Sequence, residues 1–385
     1  MSVMKNLIIE GRRAAAQPSS DIFVVEGTTG GDDGFKALLE LMGEHGLPFY
    51  GSERTGGPQG PGGLIERDSV VIVKVNSQWN ERGGTNTDLV RSIIEATLAH
   101  PDGFDGEVVV ADNGQARFGA HGSGGSLEYE RNNAEDAAQS VQDVVDAFSG
   151  ARVSTYLWDR ITTRGVGEYA EGDIDDGYVV DEDSNPLTGI TVSYPKFRTK
   201  FGTHVSFRHG IWDPETKSYD GERLKVINVP VLKAHSIYGV TACVKHYMGV
   251  ASDRLTGRTA HRSVDRGGMG TEMAETRVPT LNVLDAIWVN ADPGTGPRAT
   301  YQEATRLNTV MASVDPAALD HWAAKHVLMQ AARLKGHRDL STFDPDNAAS
   351  GSFGDWLRLS MEELRKAGHD VTTDEDRMNV YVVEL

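Results

Sequence analysis

The sequence has 385 residues, of which 39% are hydrophobic and 24% are charged, as is usual for soluble globular proteins. With 38 basic and 56 acidic residues, its formal net charge of −18 argues against a main role in binding nucleic acid or anionic membranes. The only cysteine, Cys243, excludes an internal disulfide and a cysteine-ligated iron–sulfur cluster within one chain. No apolar run approaches the roughly 20 residues that span a bilayer. We therefore expect a cytoplasmic protein.

The first part of the chain alternates between predicted strands and helices. After an N-terminal tail at 1–20, the pattern predicts strands at 21–27, 69–76 and 106–114, with amphipathic helices between them. The near-continuous apolar run SVVIVKVN is typical of a parallel strand that is covered on both faces. This order of strands and helices predicts a doubly wound α/β fold.

The middle of the chain interrupts this alternation. Residues 151–225 contain short strand-like pieces, which predict an antiparallel insert. The earlier pattern returns with the strand LKVINVPVL and continues to the terminal strand RMNVYVVEL. We therefore expect one large α/β domain at 21–385 with a mostly parallel sheet. Its possible lobes are 21–150 and 226–385, on either side of the insert.

The stretch VLKAHSIYGVTACVKHYMG, residues 231–249, is the strongest candidate site. Lys233 and His235 are two residues apart, so on a strand they face the same side. Lys245 and His246 follow near the start of a predicted helix, where the dipole favours anions and disfavours cations. Cations at this position suggest a bound anion, and the alternative is that both are solvated surface residues. Cys243 is interpreted as helix packing.

Other polar residues are predicted at the same edge of the sheet. Lys74 ends a buried strand, so its ammonium needs solvent, a ligand or an acid, and Asp112 is the alternative partner. Two basic stretches, 195–210 and 253–270, could add positive potential or could instead pair with the acidic insert. The predicted substrate-binding residues are Lys74, Asn76, Asn228, Thr241 and Arg208.

Two late aspartates receive different interpretations. Asp285 lies within the apolar strand LNVLDAIWV, where a buried carboxylate needs a cation or hydrogen-bond donors, so it is a catalytic candidate. Asp315 precedes Pro316 and is predicted to be the N-cap of a helix. The sequence lacks the standard motifs of P-loop nucleotide sites, zinc proteases and serine hydrolases. These residues therefore indicate a site without naming a reaction.

Taken in order, these blocks resemble the domain of unknown function 362 family. Its pattern has a Lys-Pro-Asn strand end, a Pro-x-x-Lys-x-His strand end, a Lys-Asn-x-x-Gly helix and an Asp-Pro-x-Ala-x-Asp helix start. Val75 replaces the family's proline and His246 replaces its asparagine. Many members also carry a ferredoxin-like cysteine cassette, which this chain lacks, so the resemblance implies no iron–sulfur cluster here. The matching positions are Lys74, Asn76, Pro230, Lys233, His235, Lys245, Gly249, Asp285, Asp315, Pro316 and Asp320.

The leading hypothesis is an enzyme that acts on a small anionic molecule, either a carboxylate or a phosphate. Lys74, Lys233 and Lys245 would hold the anion, and His235 would be the general acid–base group. Asp285 would orient His235 or one of the lysines. The predicted catalytic set is therefore Lys233, His235, Lys245 and Asp285.

Several alternatives stay open on sequence alone. A divalent metal could be held by His235, His246 and Asp320, because two histidines and a carboxylate suit an open catalytic site. An organometallic cofactor is a further variant, by analogy with nickel-pincer racemases that rely on lysine and histidine. The protein could also be a non-catalytic binding protein for an anionic ligand or cofactor, or a scaffold subunit. The oligomeric state is left open.

Overall fold

The computed structural model describes residues 19–115 and 125–385, so most of the predicted tail lies outside the described residues. No helix in these two ranges is long and apolar enough to cross a membrane. The strands are β1 (Ser20–Glu26), β2 (Tyr50–Gly51), β3 (Gln59–Gly60), β4 (Val70–Lys74), β5 (Glu107–Asp112), β6 (Val153–Leu157), β7 (Gly177–Val180), β8 (Ser193–Arg198), β9 (His204–Ser206), β10 (Gly210–Asp213), β11 (Ser218–Asp220), β12 (Leu224–Asn228), β13 (Val231–His235), β14 (Gly239–Thr241), β15 (Leu281–Asn290), β16 (Thr305–Ser313) and β17 (Met378–Glu384). The helices are α1 (Gly34–Glu44), α2 (Thr87–Leu98), α3 (Val141–Asp146), α4 (Cys243–His246), α5 (Thr259–Ser263), α6 (Gly268–Glu275), α7 (Pro316–Ala323), α8 (Met329–Leu334) and α9 (Phe353–Lys366).

A mixed sheet forms the centre of the protein. Within the described residues it has ten strands, in the order β17-β1-β16-β15-β12-β4-β5-β6, with β13 beside β15 and β14 beside β13. Most neighbouring strands run parallel, including β12, β4, β5 and β6, whereas β16 runs antiparallel to β1 and β15. The predicted α/β fold with a mostly parallel sheet is therefore confirmed.

Both faces of this sheet are covered. Successive strand residues belong to different hydrophobic clusters, with Val24 and Ile72 in one and Val25 and Val73 in the other. Residues of α1, α2 and α3 join the second cluster, and residues of α6, α7 and α9 join the first. Burial on both faces explains why the strands are nearly continuous apolar runs rather than alternating ones.

The predicted insert contains a separate antiparallel sheet with the order β11-β10-β9-β8-β7. Because β6 pairs with β5 in the central sheet, the insert begins after Leu157 and not at residue 151. Both terminal nitrogens of Arg208 lie 2.8 Å from the carboxylate oxygens of Asp181, within the insert. Arg208 is therefore paired with an acid of the insert, which is the alternative that the sequence left open for this basic stretch.

The carboxyl edge of the sheet gathers polar strand ends. Lys74 at the end of β4 lies in register with Asn228 at the end of β12, and Asp112 ends the neighbouring β5. After Pro230 the chain continues as β13, still parallel to β15 but in a shifted register. It then turns back as β14 and forms only a four-residue helix, α4. The helix that the sequence predicts near 239–249 is thus limited to helical turns over residues 243–249, after the strand β14.

Candidate functional site

A cavity of about 250 Å³ opens at the carboxyl edge of the sheet, and we call it the edge cavity. Ligands of open α/β sheets bind at this position, beyond the carboxyl ends of the strands. The hairpin of β13 and β14 and the turn of α4 carry much of its lining. The residues that sequence reasoning predicted and that line it are Asn76, Lys233, His235, Thr241, Lys245 and His246.

Two lysines of the edge cavity form no ion pair in the part of the chain that the structure describes. Lys233 is fully buried, and its Nζ donates a hydrogen bond to the carbonyl oxygen of Gly83. Burial, together with the nearby charge of Lys245, lowers the pKa of Lys233 to about 7. Burial likewise lowers the pKa of Lys245 to about 8, and its Nζ lies 5.2 Å from the ring centre of Tyr238. Neither lysine forms an ion pair within residues 19–115 and 125–385, although the more distant charges of Asp253 on Lys245 and of Asp285 on Lys233 partly offset the effect of burial on their pKa values.

His235 is held by its own hairpin turn. Its Nδ1 accepts hydrogen bonds from the backbone N–H groups of Ile237 and Tyr238, at 3.1 Å and 3.2 Å. Burial and the charges of Lys245 and Lys233 lower its pKa to about 2, so the ring is neutral at ordinary pH. With Nδ1 accepting, the proton resides on Nε2, which is a hydrogen-bond donor. Of the predicted general acid–base role, this arrangement fits the donor and not the base.

A buried ion pair lies beneath the edge cavity. The Nζ of Lys74 is 2.8 Å from Oδ1 of Asp112, whose Oδ2 accepts hydrogen bonds from the N–H and hydroxyl of Ser77. A Cβ atom at Gly249 would lie 2.3 Å from this Oδ1 and 2.7 Å from the Nζ. Only glycine fits over the pair, which explains this position of the family pattern. The ammonium of Lys74 is thus paired with Asp112, which was the alternative to a bound ligand. Of these two residues, only Asp112 lines the edge cavity.

His246 connects two strand ends. Its Nδ1 lies 2.7 Å from Oδ1 of Asn228, and its Nε2 lies 3.0 Å from the carbonyl oxygen of Val75. Asn228 in turn donates hydrogen bonds to Asn282 and to the carbonyl oxygen of Cys243. Burial and the charges of Lys74 and Lys233 hold the pKa of His246 well below its ordinary value. The contacts of Asn228 are therefore all internal, and it does not line the edge cavity as predicted.

Asp320 caps the short helix α4. Its two carboxylate oxygens accept hydrogen bonds from the N–H groups of Cys243 and Val244, at 2.7 Å and 2.9 Å. The helix N-terminus that was expected to favour a ligand is therefore already occupied by a carboxylate. Among the described residues, no three His, Cys, Asp or Glu side chains lie together so that they could hold a metal ion. The proposed ligand set of His235, His246 and Asp320 does not assemble.

Asp285 supports the start of a helix. Its oxygens accept hydrogen bonds from the N–H groups of Asn86 and Ile287 and from the side chain of Asn133. Asn86 is the N-cap of α2, since its side chain accepts from the first N–H groups of that helix. Burial raises the pKa of Asp285 to about 6. Asp285 does not line the edge cavity, and the orientation of His235 comes from backbone amides instead.

Sequence reasoning missed a histidine–aspartate pair beside the lysines. Nδ1 of His261 is hydrogen-bonded to Oδ2 of Asp253, and His261 lines the edge cavity together with Arg258. The guanidinium of Arg258 is mostly exposed, and its Nε lies 3.9 Å from the same Asp253 oxygen. The sequence shows the basic stretch 253–270, but an Asp and a His eight positions apart match no catalytic motif. Only the loop before α5 brings the two side chains together.

Two buried polar atoms of the edge cavity lack partners. In the described part of the chain, neither Oδ1 of Asn76 nor Oγ1 of Thr241 has a hydrogen bond, although both are inaccessible to solvent. Buried polar groups are usually satisfied, and an exception calls for an explanation such as an absent ligand. Asn76 and Thr241 were both predicted to bind substrate, and both line the cavity.

Comparison with known proteins gives one match. The model of the family described as Domain of unknown function (DUF362) matches residues 222–325. This segment of the chain is therefore similar to the DUF362 family. The DUF362 segment includes Lys233, His235, Lys245 and the pair of Asp253 and His261, whereas the strand of Lys74 precedes it. No curated protein and no solved structure matches the chain. The match to the DUF362 family carries no activity with it.

Proposed function

We propose that the protein is an enzyme that acts on a small anionic substrate, a carboxylate or a phosphate, bound in the edge cavity. One observation carries this proposal: two buried lysines, Lys233 and Lys245, line the same small cavity without a carboxylate partner. Burying an unpaired cation costs free energy, and the cost falls when an anion supplies the missing charge. A bound anion would therefore offset the free-energy cost of burying both lysines.

The charge balance of the cavity supports the same proposal. The only carboxylate that lines the cavity among the described residues is Asp112, and it is neutralised by Lys74. The remaining ionisable groups are the two lysines, Arg258, the histidines and Tyr238, which is neutral because its pKa is raised. The cavity is therefore positive within a protein whose net charge is −18. Such a focused positive potential attracts anions to a site while the rest of the surface repels them.

The hydrogen-bond donors can do more than bind. His235 presents an N–H on Nε2 and is fixed by two backbone amides, so it needs no rearrangement to meet a developing negative charge. Donors that are positioned before the reaction stabilise oxyanions more than they stabilise neutral ground states. We therefore assign His235 an electrophilic role beside the lysines. The unpartnered groups of Asn76 and Thr241 would meet the polar, uncharged part of the substrate.

Calorimetric titration with sulfate tests the binding step. We expect the protein to bind sulfate, and Lys245→Ala to weaken the affinity at least about tenfold, as for loss of a charge-assisted hydrogen bond. Lys366→Ala is the matched control, because it removes the same charge from an exposed position on α9. Circular dichroism establishes that both variants are folded. Absence of sulfate binding, or an equal loss in both variants, would contradict the proposal.

A further inference from the structure

The His261–Asp253 pair lies where two cavities meet. Besides the edge cavity, His261 lines a neighbouring cavity of about 530 Å³, which also contacts Arg262 and Asp265. Tyr238 and Arg258 also line both cavities. The two cavities therefore adjoin at these residues, with His261 at the junction. A molecule whose anionic end reaches the lysines would therefore pass this imidazole.

The hydrogen bond to Asp253 decides which nitrogen of His261 is available. A carboxylate accepts hydrogen bonds, so Nδ1 of His261 carries the proton that it shares with Asp253. In the neutral ring, Nε2 then has a free lone pair, and it has no hydrogen-bond partner in the described part of the chain. The hydroxyl of Tyr238 donates to the carbonyl oxygen of His261 and holds its backbone in place.

Two of the three histidines that line the edge cavity, His235 and His261, therefore have opposite capabilities. His235 accepts at Nδ1 and so presents an N–H to the cavity, whereas His261 donates at Nδ1 and so presents a lone pair. One can donate a hydrogen bond to an oxygen that becomes negative, and the other can accept a proton. This is the combination that removal of a proton next to a carbonyl group requires.

We propose that His261 is the general base of this site, that Asp253 is its positioning residue, and that the substrate is a small anion with a C–H bond next to a carbonyl group. This proposal rests on the proposed function of the edge cavity. In the step, the C–H bond breaks and its proton moves to Nε2 of His261. The electron pair moves into the substrate, and the carbonyl oxygen becomes an enolate oxygen. His235 and Lys245 donate hydrogen bonds to that oxygen, so no oxidant or co-reactant is needed.

Hydrogen–deuterium exchange tests this assignment with defined probes. Pyruvate and dihydroxyacetone phosphate are small anions of the required kind, one a carboxylate and the other a phosphate. In heavy water, proton NMR follows the loss of the signal from the carbon next to the carbonyl group. We expect the protein to accelerate exchange of at least one probe, and the probe that reacts identifies the anionic group.

Three variants separate catalysis from binding and folding. We expect His261→Asn to slow exchange at least about 100-fold, in line with loss of a general base, while sulfate binding is kept. Asp253→Asn should lower the maximal rate with little change in the half-saturating probe concentration, because an amide can reverse which nitrogen of His261 carries the proton. His337→Asn is the matched control, since His337 bonds to Asp292 in another His–Asp pair outside both cavities, and it should exchange like the unaltered protein.

The possible failures are distinguishable. A protein that binds sulfate but exchanges neither probe, or that exchanges equally well as His261→Asn, would overturn the assignment of the base and leave the anion site standing. A maximal rate that is unchanged in Asp253→Asn would overturn the positioning role. A protein that does not bind sulfate at all would overturn the proposed function itself.

Discussion

Buried lysines occur in two regions of this protein, and their surroundings differ. In the insert, Nζ of Lys196 donates to the carbonyl oxygens of Gly167 and Asp173, and it lies 3.4 Å from the Asp173 carboxylate. In the edge cavity, Lys233 has one carbonyl partner among the described residues, and Lys245 lies beside the ring of Tyr238 with no carboxylate in ion-pair distance there. Both regions are basic in sequence, so it is the presence of an acid partner that separates a structural cation from one available to a ligand.

The largest effect that this comparison predicts is on Lys74, the paired lysine under the edge cavity. Lys74→Met would leave Asp112 buried without its cation, so the free energy of unfolding should fall by about 3–5 kcal/mol. Urea denaturation measures this change. Adding Asp112→Asn should recover part of the loss, because the uncompensated charge is gone. A loss below about 1 kcal/mol would place Lys74 with the unpaired lysines.

Lys233→Met should change the free energy of unfolding in the opposite direction to Lys74→Met. It removes a buried cation that has no acid partner, so the free energy of unfolding should rise by about 1–2 kcal/mol. Sulfate affinity should fall at least about tenfold in the same variant, because a charge-assisted contact is lost. Stability from urea denaturation and affinity from calorimetry are measured side by side. A destabilised variant with unchanged sulfate affinity would make Lys233 a structural residue like Lys74.

The pH dependence of sulfate binding sharpens the comparison further. Sulfate keeps its charge above acidic pH, whereas Lys233 and Lys245 lose protons as the pH rises through their pKa values of about 7 and about 8. Affinity should be highest below pH 7 and then fall by about tenfold per pH unit for each proton that binding requires. Calorimetric titrations from pH 6 to about 9 check this slope. An affinity independent of pH would mean that neither lysine holds the anion.

The same pKa values predict how the free energy of unfolding changes without ligand. Both lysines have lower pKa values in the folded protein than in the unfolded chain. Above these values the unfolded chain binds more protons, so the lysine contribution to stability increases with pH up to their ordinary pKa of 10.5. Lys233→Met should reduce this increase, which urea denaturation at several pH values would detect.

The smallest effect is expected for Arg208, in the insert. Its ion pair with Asp181 is partly exposed, so Arg208→Ala should cost less than about 1 kcal/mol of stability. Sulfate affinity should stay the same, because Arg208 does not line the edge cavity. Calorimetry that showed weaker sulfate binding would restore Arg208 to the site.

The sheet was predictable from sequence because its strands are covered on both faces. The continuous apolar runs around Ile72 and Leu284 are typical of strands that are buried on both faces. Asp315 caps α7, as the sequence predicts. The short helix α4 was not predictable, because its limits depend on Asp320, which is 77 residues away from Cys243 in the chain. Local sequence patterns do not contain such long-range contacts.

The site was predictable only where it is local in sequence. Lys233, His235 and Lys245 lie within one hairpin and the turn after it, so their spacing indicates a shared surface. The pairing of His261 with Asp253 depends on the path of a loop, and the tautomer of each histidine depends on its hydrogen bonds. Residue types can therefore suggest histidine chemistry, but they do not say which imidazole donates and which accepts.

The glycine above the Lys74–Asp112 pair has a consequence for the response to salt. With Gly249 packed against it, this pair is almost completely buried, because Lys74 has no exposed surface and the Asp112 side chain is 3% exposed. The edge cavity is open to solvent, so chloride and other small anions compete there with the substrate and screen the lysines. Rising ionic strength should therefore empty the cavity while the strand ends that shape it stay in place. The fraction of protein with bound substrate should thus depend on ionic strength, whereas the stability of the fold should not.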